Sequence, residues 1–168
     1  MKTFVVCVSI LMVMTANAQS LGLRLGHSLT PADHLSLRYE HWTNGSVNPT
    51  AAFFYERSRA NCLNYSCYGI DVLGEYVANR ASLSDNLFGW RAGIGATILN
   101  ENEPWLYKTS TFVQRLNYGL ACEGAIECYL SEVFRLSLFA QQKLFFRSSL
   151  GSTQFLFGLG LTYNLSAN

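Results

Sequence analysis

From Ser20 to its C-terminal end, the 168-residue chain places bulky apolar side chains at every second position. That is the period of a β-strand, whose successive side chains point to opposite faces, and not of a helix. The last segment is the clearest: Phe155, Phe157, Leu159, Leu161, Tyr163 and Leu165 alternate with Gly158, Gly160, Thr162 and Asn164. The first sets Leu21, Leu23 and Leu25 against Gly22, Arg24 and Gly26, and the second sets Leu35, Leu37 and Tyr39 against Ser36, Arg38 and Glu40. Five more follow, centred on Phe53 and Tyr55; on Tyr68, Ile70, Val72 and Tyr76; on Phe88, Trp90, Ile94 and Ile98; on Leu116, Tyr118, Leu120 and Ile126; and on Phe134, Leu136 and Leu138. Eight strands are predicted, most with about 8–12 usable residues, the length that a tilted strand needs to cross a bilayer.

The charges obey the same parity. Arg24, Arg38, Glu40, Glu56, Asp71, Glu75, Arg91, Glu123, Glu127, Arg135 and Lys143 all fall on the small, polar face, five bases against six acids. None falls on the bulky face. Two closed sheets could produce this alternation: a soluble barrel with greasy residues inside, or a membrane barrel with the polarity reversed. Volume favours the second. An eight-stranded barrel has an interior just wide enough for side chains to fill, and nine of the thirteen glycines lie on the charged face, where they leave room for Arg and Glu to cross and pair. On a water-facing surface the same glycines would only weaken the strands. The expectation is an all-β, eight-stranded antiparallel up-and-down transmembrane β-barrel with a salt-bridged polar interior. The exceptions to parity are Leu73, Val77, Phe139, Phe145 and Leu156 on the inner face and Gln142, Cys122 and Cys128 on the outer.

Ahead of the strands, Lys2, the apolar run at residues 4–14 (FVVCVSILMVM) and Ala16-Asn17-Ala18 have the form of a signal peptide cleaved after Ala18. The run is shorter than the ~20 residues of a membrane-spanning helix, and no later stretch is long and apolar enough to serve as one. Residues 1–18 are thus expected to be an export signal and 19–168 one barrel domain, placed in the bacterial outer membrane. Without Lys2, 11 bases face 11 acids. That balance excludes a polybasic nucleic-acid binder. The 14% aromatic content excludes a disordered chain.

With both termini on the periplasmic side, turns are expected there at residues 43–50, 79–86 and 131–133. Surface loops are expected at 28–33, 57–67, 100–114 and 146–153. Tyr39, Trp42, Trp90, Tyr129 and Tyr163 fall near the periplasmic ends, where an aromatic girdle belongs. Cys62 and Cys67 flank a surface loop and, in an oxidising compartment, either close it as a disulfide or stay free. The search for chemistry ends on loop polarity. His27 and His34 bracket the first loop while His41 lies at the far end of the next strand, about 20 Å away at strand rise. Ser28 and Asp33 near His34 are ordinary turn residues. Glu123 and Glu127 lie ~13 Å apart along one strand, outside either glycosidase spacing, and are expected to pair with Arg91 and Arg135 on neighbouring strands. No catalytic set, cofactor motif or metal cluster emerges.

Residues 117–165 carry a resemblance to a known family. The strand YGLACEGAIECYL, a short acidic turn, the strand FRLSLFAQQKLFF, the loop SSLG and a final G-x-G-x-x-Y-N-L strand resemble the C-terminal half of the TraO proteins of Bacteroidetes conjugative transposons. Residues 42–57 (WTNGSVNPTAAFFYER) look like that family's second turn and third strand. The resemblance implies an outer-membrane component of a conjugative DNA-transfer apparatus, partnered by other transfer proteins, with no catalytic residues to carry over. A lumen filled by paired charges and a net charge of zero imply a structural or docking role instead of a DNA pore, with no direct nucleic-acid binding. Trp105, Leu106 and Tyr107 in the loop at 100–114 are the candidate apolar contacts. The alternative is a general small outer-membrane barrel with a surface adhesion or protective role.

Overall fold

The computed structural model describes residues 20–43, 46–58, 65–78, 87–103, 113–146, 148 and 151–165, the side chains of 103 and 113–115 aside. The expected export segment, Cys62, Trp105, Leu106 and Tyr107 lie outside the described residues. Eight strands follow in order: β1 (Ser20–Ser28), β2 (Ala32–Glu40), β3 (Val47–Ser58), β4 (Ser66–Ala78), β5 (Phe88–Glu103), β6 (Val113–Tyr129), β7 (Phe134–Phe145) and β8 (Thr153–Asn164). Each pairs antiparallel with its sequence neighbours, and β1 pairs with β8 from Ser20↔Asn164 to Ser28↔Leu156, so the sheet closes into a barrel without an edge at its waist.

The polarity of this barrel is that of no water-soluble domain. Ile94 and Leu159 are 68% and 56% exposed on the outside, whereas Arg38 and Lys143 are 1% and 0% exposed inside. An exterior of leucine, isoleucine and phenylalanine around a charged interior meets its solvent only in lipid. Of the five exceptional inner apolar residues, Leu73, Phe139, Phe145 and Leu156 are buried and Val77 is half-buried, while Cys122 is exposed on the outer face. Close approach of adjacent strands fixes two glycines. A Cβ on Gly95 would collide with the Val72 carbonyl oxygen and the Leu73 Cα, and one on Gly158 with the Leu25 carbonyl oxygen and the Gly26 Cα. In the β7–β8 connection Gly151 takes φ +128°, a conformation that glycine alone adopts readily.

Three expectations are corrected. The loop expected at 100–114 is strand at both ends: β5 runs 16 residues to Glu103 and β6 runs 17 from Val113, so Glu101 is a buried inner residue. The first loop shrinks to residues 29–31, because Ser28 and Ala32 already pair. The aromatic girdle also changes membership. Trp90 with Tyr76 and Tyr163 with Phe134 form outward pairs at ring separations of 6.1 and 5.4 Å, but Tyr129 is buried inside and both it and Trp42 lie against the Arg135 guanidinium. At the opposite rim Tyr118 and Phe146 meet outside at 5.6 Å, which gives the barrel an aromatic band at each end.

Candidate functional site: the ionic interior

Parity brings the inward side chains of all eight strands into one shared volume. Glycine makes the room. A Cβ on Gly93 would lie 2.6 Å from Glu75 Cγ, and one on Gly160 2.9 Å from Arg24 Cγ. Toward the end that holds Ser20 and Asn164, four arginines and four glutamates interlock. Arg24 grips Glu123 with both terminal nitrogens at 2.8 Å. Arg38 donates through Nε to Glu40 at 2.7 Å and through Nη1 to Glu123 at 3.0 Å, and its Nη2 reaches Glu75. Arg91 meets Glu40 at 2.5 Å and Glu127 at 3.0 Å, and Arg135 meets Glu127 at 3.2 Å and also Glu40.

Four positive and four negative groups sum to zero, and every carboxylate has at least two guanidinium neighbours. Burying a single ion costs several kcal/mol (about 3–5 when its partner is removed), so only near-complete mutual pairing makes such a cluster tolerable. Bidentate Arg–carboxylate contacts supply the geometry for it. Glu127 pairs with Arg91 and Arg135. Glu123 instead reaches across the lumen to Arg24 and Arg38 on β1 and β2, a partnership decided by barrel closure and not by strand neighbourhood.

Toward the other end the interior changes character. Phe139, Leu156 and Ala125 form one apolar cluster, and Ala32, Phe54, Tyr65, Cys67, Leu99 and Phe145 another. Cations rest on their rings, Arg24 at 4.5 Å from the centre of Phe139 and Lys143 at 3.4 Å from that of Phe54. Lys143 pairs with Asp71 at 3.0 Å, and Gln141 donates to the same carboxylate at 3.1 Å. Glu56 collects His34 Nδ1 at 2.9 Å, Gln154 Nε2 at 2.5 Å and the Cys67 thiol at 3.6 Å.

Several expectations fail or shift here. Of the two states open to Cys67, the structure holds the free thiol, turned inward to donate to Glu56. His34 is no loop residue but is buried, stacked on Phe54 with ring centres 5.7 Å apart. Ser28, Asp33 and His34 point three ways: Ser28 to Thr30 and the Phe155 carbonyl, Asp33 to His27 at 3.2 Å, His34 to Glu56. They form no triad. Among the described residues no group of three His, Cys, Asp or Glu side chains could hold a metal ion. His34, Gln141 and Glu101 are the inner residues that the charge pattern alone did not single out. The signal was present, since all three share the parity of the arginines.

Two small cavities flank the packed middle. One of about 20 Å³ lies under Tyr65, Glu101 and Ser148, and one of about 10 Å³ lies between Trp42, Arg91, Tyr129 and Arg135. Each has room for about one water molecule. The side chains between them, Arg24, Arg38, Asp71, Glu75, Glu123 and Lys143, are all nearly fully buried and therefore do not line a water-filled channel.

A closed eight-stranded barrel that is greasy outside, ionic inside and filled across its width is a small membrane β-barrel of the plugged kind. The chain belongs to the TraO family: residues 74–165 match the family described as conjugative transposon protein TraO. No curated protein matches it in sequence. Among solved structures it is similar to Neisserial surface protein A (TM-score 0.66, 7% identity, 87% of this chain and 94% of that one). It is also similar to the N-terminal β-barrel domain of Pseudomonas aeruginosa OprF (TM-score 0.64, 10% identity, 89% and 98%). Ail, the attachment invasion locus protein of Yersinia pestis, follows at TM-score 0.56 and 13% identity, with 87% and 95% of the two chains covered. At these identities the likeness is one of fold.

Proposed function

We propose that the protein is an outer-membrane component of the DNA-transfer apparatus of a conjugative transposon, exported by a signal peptide cleaved after Ala18, with a structural and docking role. The family supplies the apparatus; the filled lumen is the observation that carries the role. A strand of DNA has no path past four arginines locked to four glutamates, and a cluster of zero formal charge offers no electrostatic funnel. What remains available to partners is the pair of rims, including Trp105, Leu106 and Tyr107. No catalytic role is assigned to any residue.

The test has two arms. Purified barrel reconstituted in a planar bilayer is expected to show no conductance above that of the bare membrane, and a strain deleted for the gene is expected to lose at least tenfold in transfer frequency. Transfer at the wild-type rate would contradict the role in conjugation, and a large steady conductance would contradict the plug. The second reading, a general barrel with an adhesive or protective surface, draws on the likeness to Ail. It predicts unchanged transfer in the deletion strain, together with altered attachment of cells to surfaces.

A further inference from the structure

A carboxamide interrupts the apolar outer wall between the two aromatic bands. Gln142 lies on the outer face of β7, eight residues from Phe134 and four from Phe146. Those two rings belong to the bands at opposite ends of the barrel. Gln142 thus sits about 10 Å inside the nearer band, at the rise of a tilted strand. Its outward neighbours are Ala140 and Leu144 on its own strand, Cys122 on β6 and Phe155 on β8. Its Nε2 donates to the Lys143 carbonyl at 3.4 Å, longer than an ordinary N–H···O bond, and among the described residues its Oε1 accepts none. Hydrocarbon supplies no water to complete the set. The wall beside this amide is low. The next outward row runs Ala92↔Gly124↔Ala140, between the taller rows Ile94↔Cys122↔Gln142 and Trp90↔Ile126↔Leu138. A Cβ on Gly124 would meet no atom within 4 Å.

We infer that two copies of this chain meet in the membrane at this wall, with their Gln142 carboxamides hydrogen-bonded to each other and the trough at Gly124 admitting the facing side chains. Depth selects the occupant. Copies inserted the same way round carry Gln142 at one height, so a two-fold axis along the membrane normal brings amide to amide. Each amide then supplies both the donor and the acceptor that the other lacks. A soluble partner does not reach this depth. Between membrane-embedded surfaces there is no hydrophobic drive to associate, and close packing over small residues with hydrogen bonds across the contact takes its place. The inference needs the outer wall in lipid but not the role in conjugation, so wild-type transfer by a deletion strain would leave it standing.

Position 122, directly opposite Gln142, is the place for a photo-crosslinking amino acid. In cells, and again in lipid vesicles of the purified barrel, it is expected to give a product at twice the barrel's mass. The same probe at Leu37, on β2 across the barrel, is expected to give none. Gln142→Leu suits the lipid face and leaves the barrel folded, yet should lower the yield about five- to tenfold through the lost hydrogen bonds. Gly124→Leu meets no atom within a single barrel and should lower it as far by filling the trough. Absence of the double-mass product, equal yield from position 37, or a yield within about twofold of the parent in Gln142→Leu would overturn the inference. So would a product in cells with a different protein in place of the dimer.

Discussion

Single residues in this barrel matter through the partners they would leave behind. Arg38 serves Glu40, Glu75 and Glu123 at once. Arg38→Met should therefore destabilise the barrel by about 3–5 kcal/mol, the cost of leaving buried charge uncompensated, read as a drop in the urea midpoint of protein folded in lipid vesicles. Lys143 and Asp71 form a more isolated pair. Lys143→Met alone should cost more than the double change Lys143→Met with Asp71→Leu, since replacing both ions by apolar groups removes the desolvation penalty along with the attraction. A double variant weaker than the single one would show that the pair is a net source of stability. Cys67 gives a chemical check: as a free thiol it should take one alkyl group when the protein is unfolded without reductant. A Cys67 peptide that reacts only after reduction would restore the disulfide.

Elements were legible where two solvents impose a period. In the waist, oil on one side and ions on the other force alternation, so the eight strands, their faces and the eleven inward charges could be read by parity. At the strand ends that force vanishes. Asn100, Glu101 and Asn102 are polar on both faces, and without an oil-facing row nothing marks the extension of β5 as strand. Tyr129 and Trp42 look like girdle residues by composition, yet their rings lie against Arg135 within the lumen. Pairings across the barrel, such as Glu123 with Arg24 and Arg38, depend on closure and stagger, which no single strand encodes. Depth on β5 can be tested directly. Ile94→Lys should cost about 2–4 kcal/mol and Asn102→Lys about 0–1, following the depth dependence of lipid-facing cations, measured by the same unfolding titration. Equal costs would place both positions at one depth and contradict the extended hairpin.

At the scale of the whole molecule, one inversion carries the fold, the plug and the membrane placement: apolar rows meet acyl chains, and ionised groups neutralise one another within. Closure of β1 on β8 makes the inversion possible, because a charged face can be buried only when the sheet encloses it. The proposed docking role rests on the same fact, since a filled cylinder offers partners its rims and not its lumen. The most direct test uses lipids brominated along their chains and two single-tryptophan variants in a background where the native tryptophans are replaced by phenylalanine. Leu159→Trp places the indole on the outer face and Phe139→Trp places it inside. Strong quenching of the first and little of the second is the expected result; strong quenching at 139 with none at 159 would show that the sheet is turned the other way.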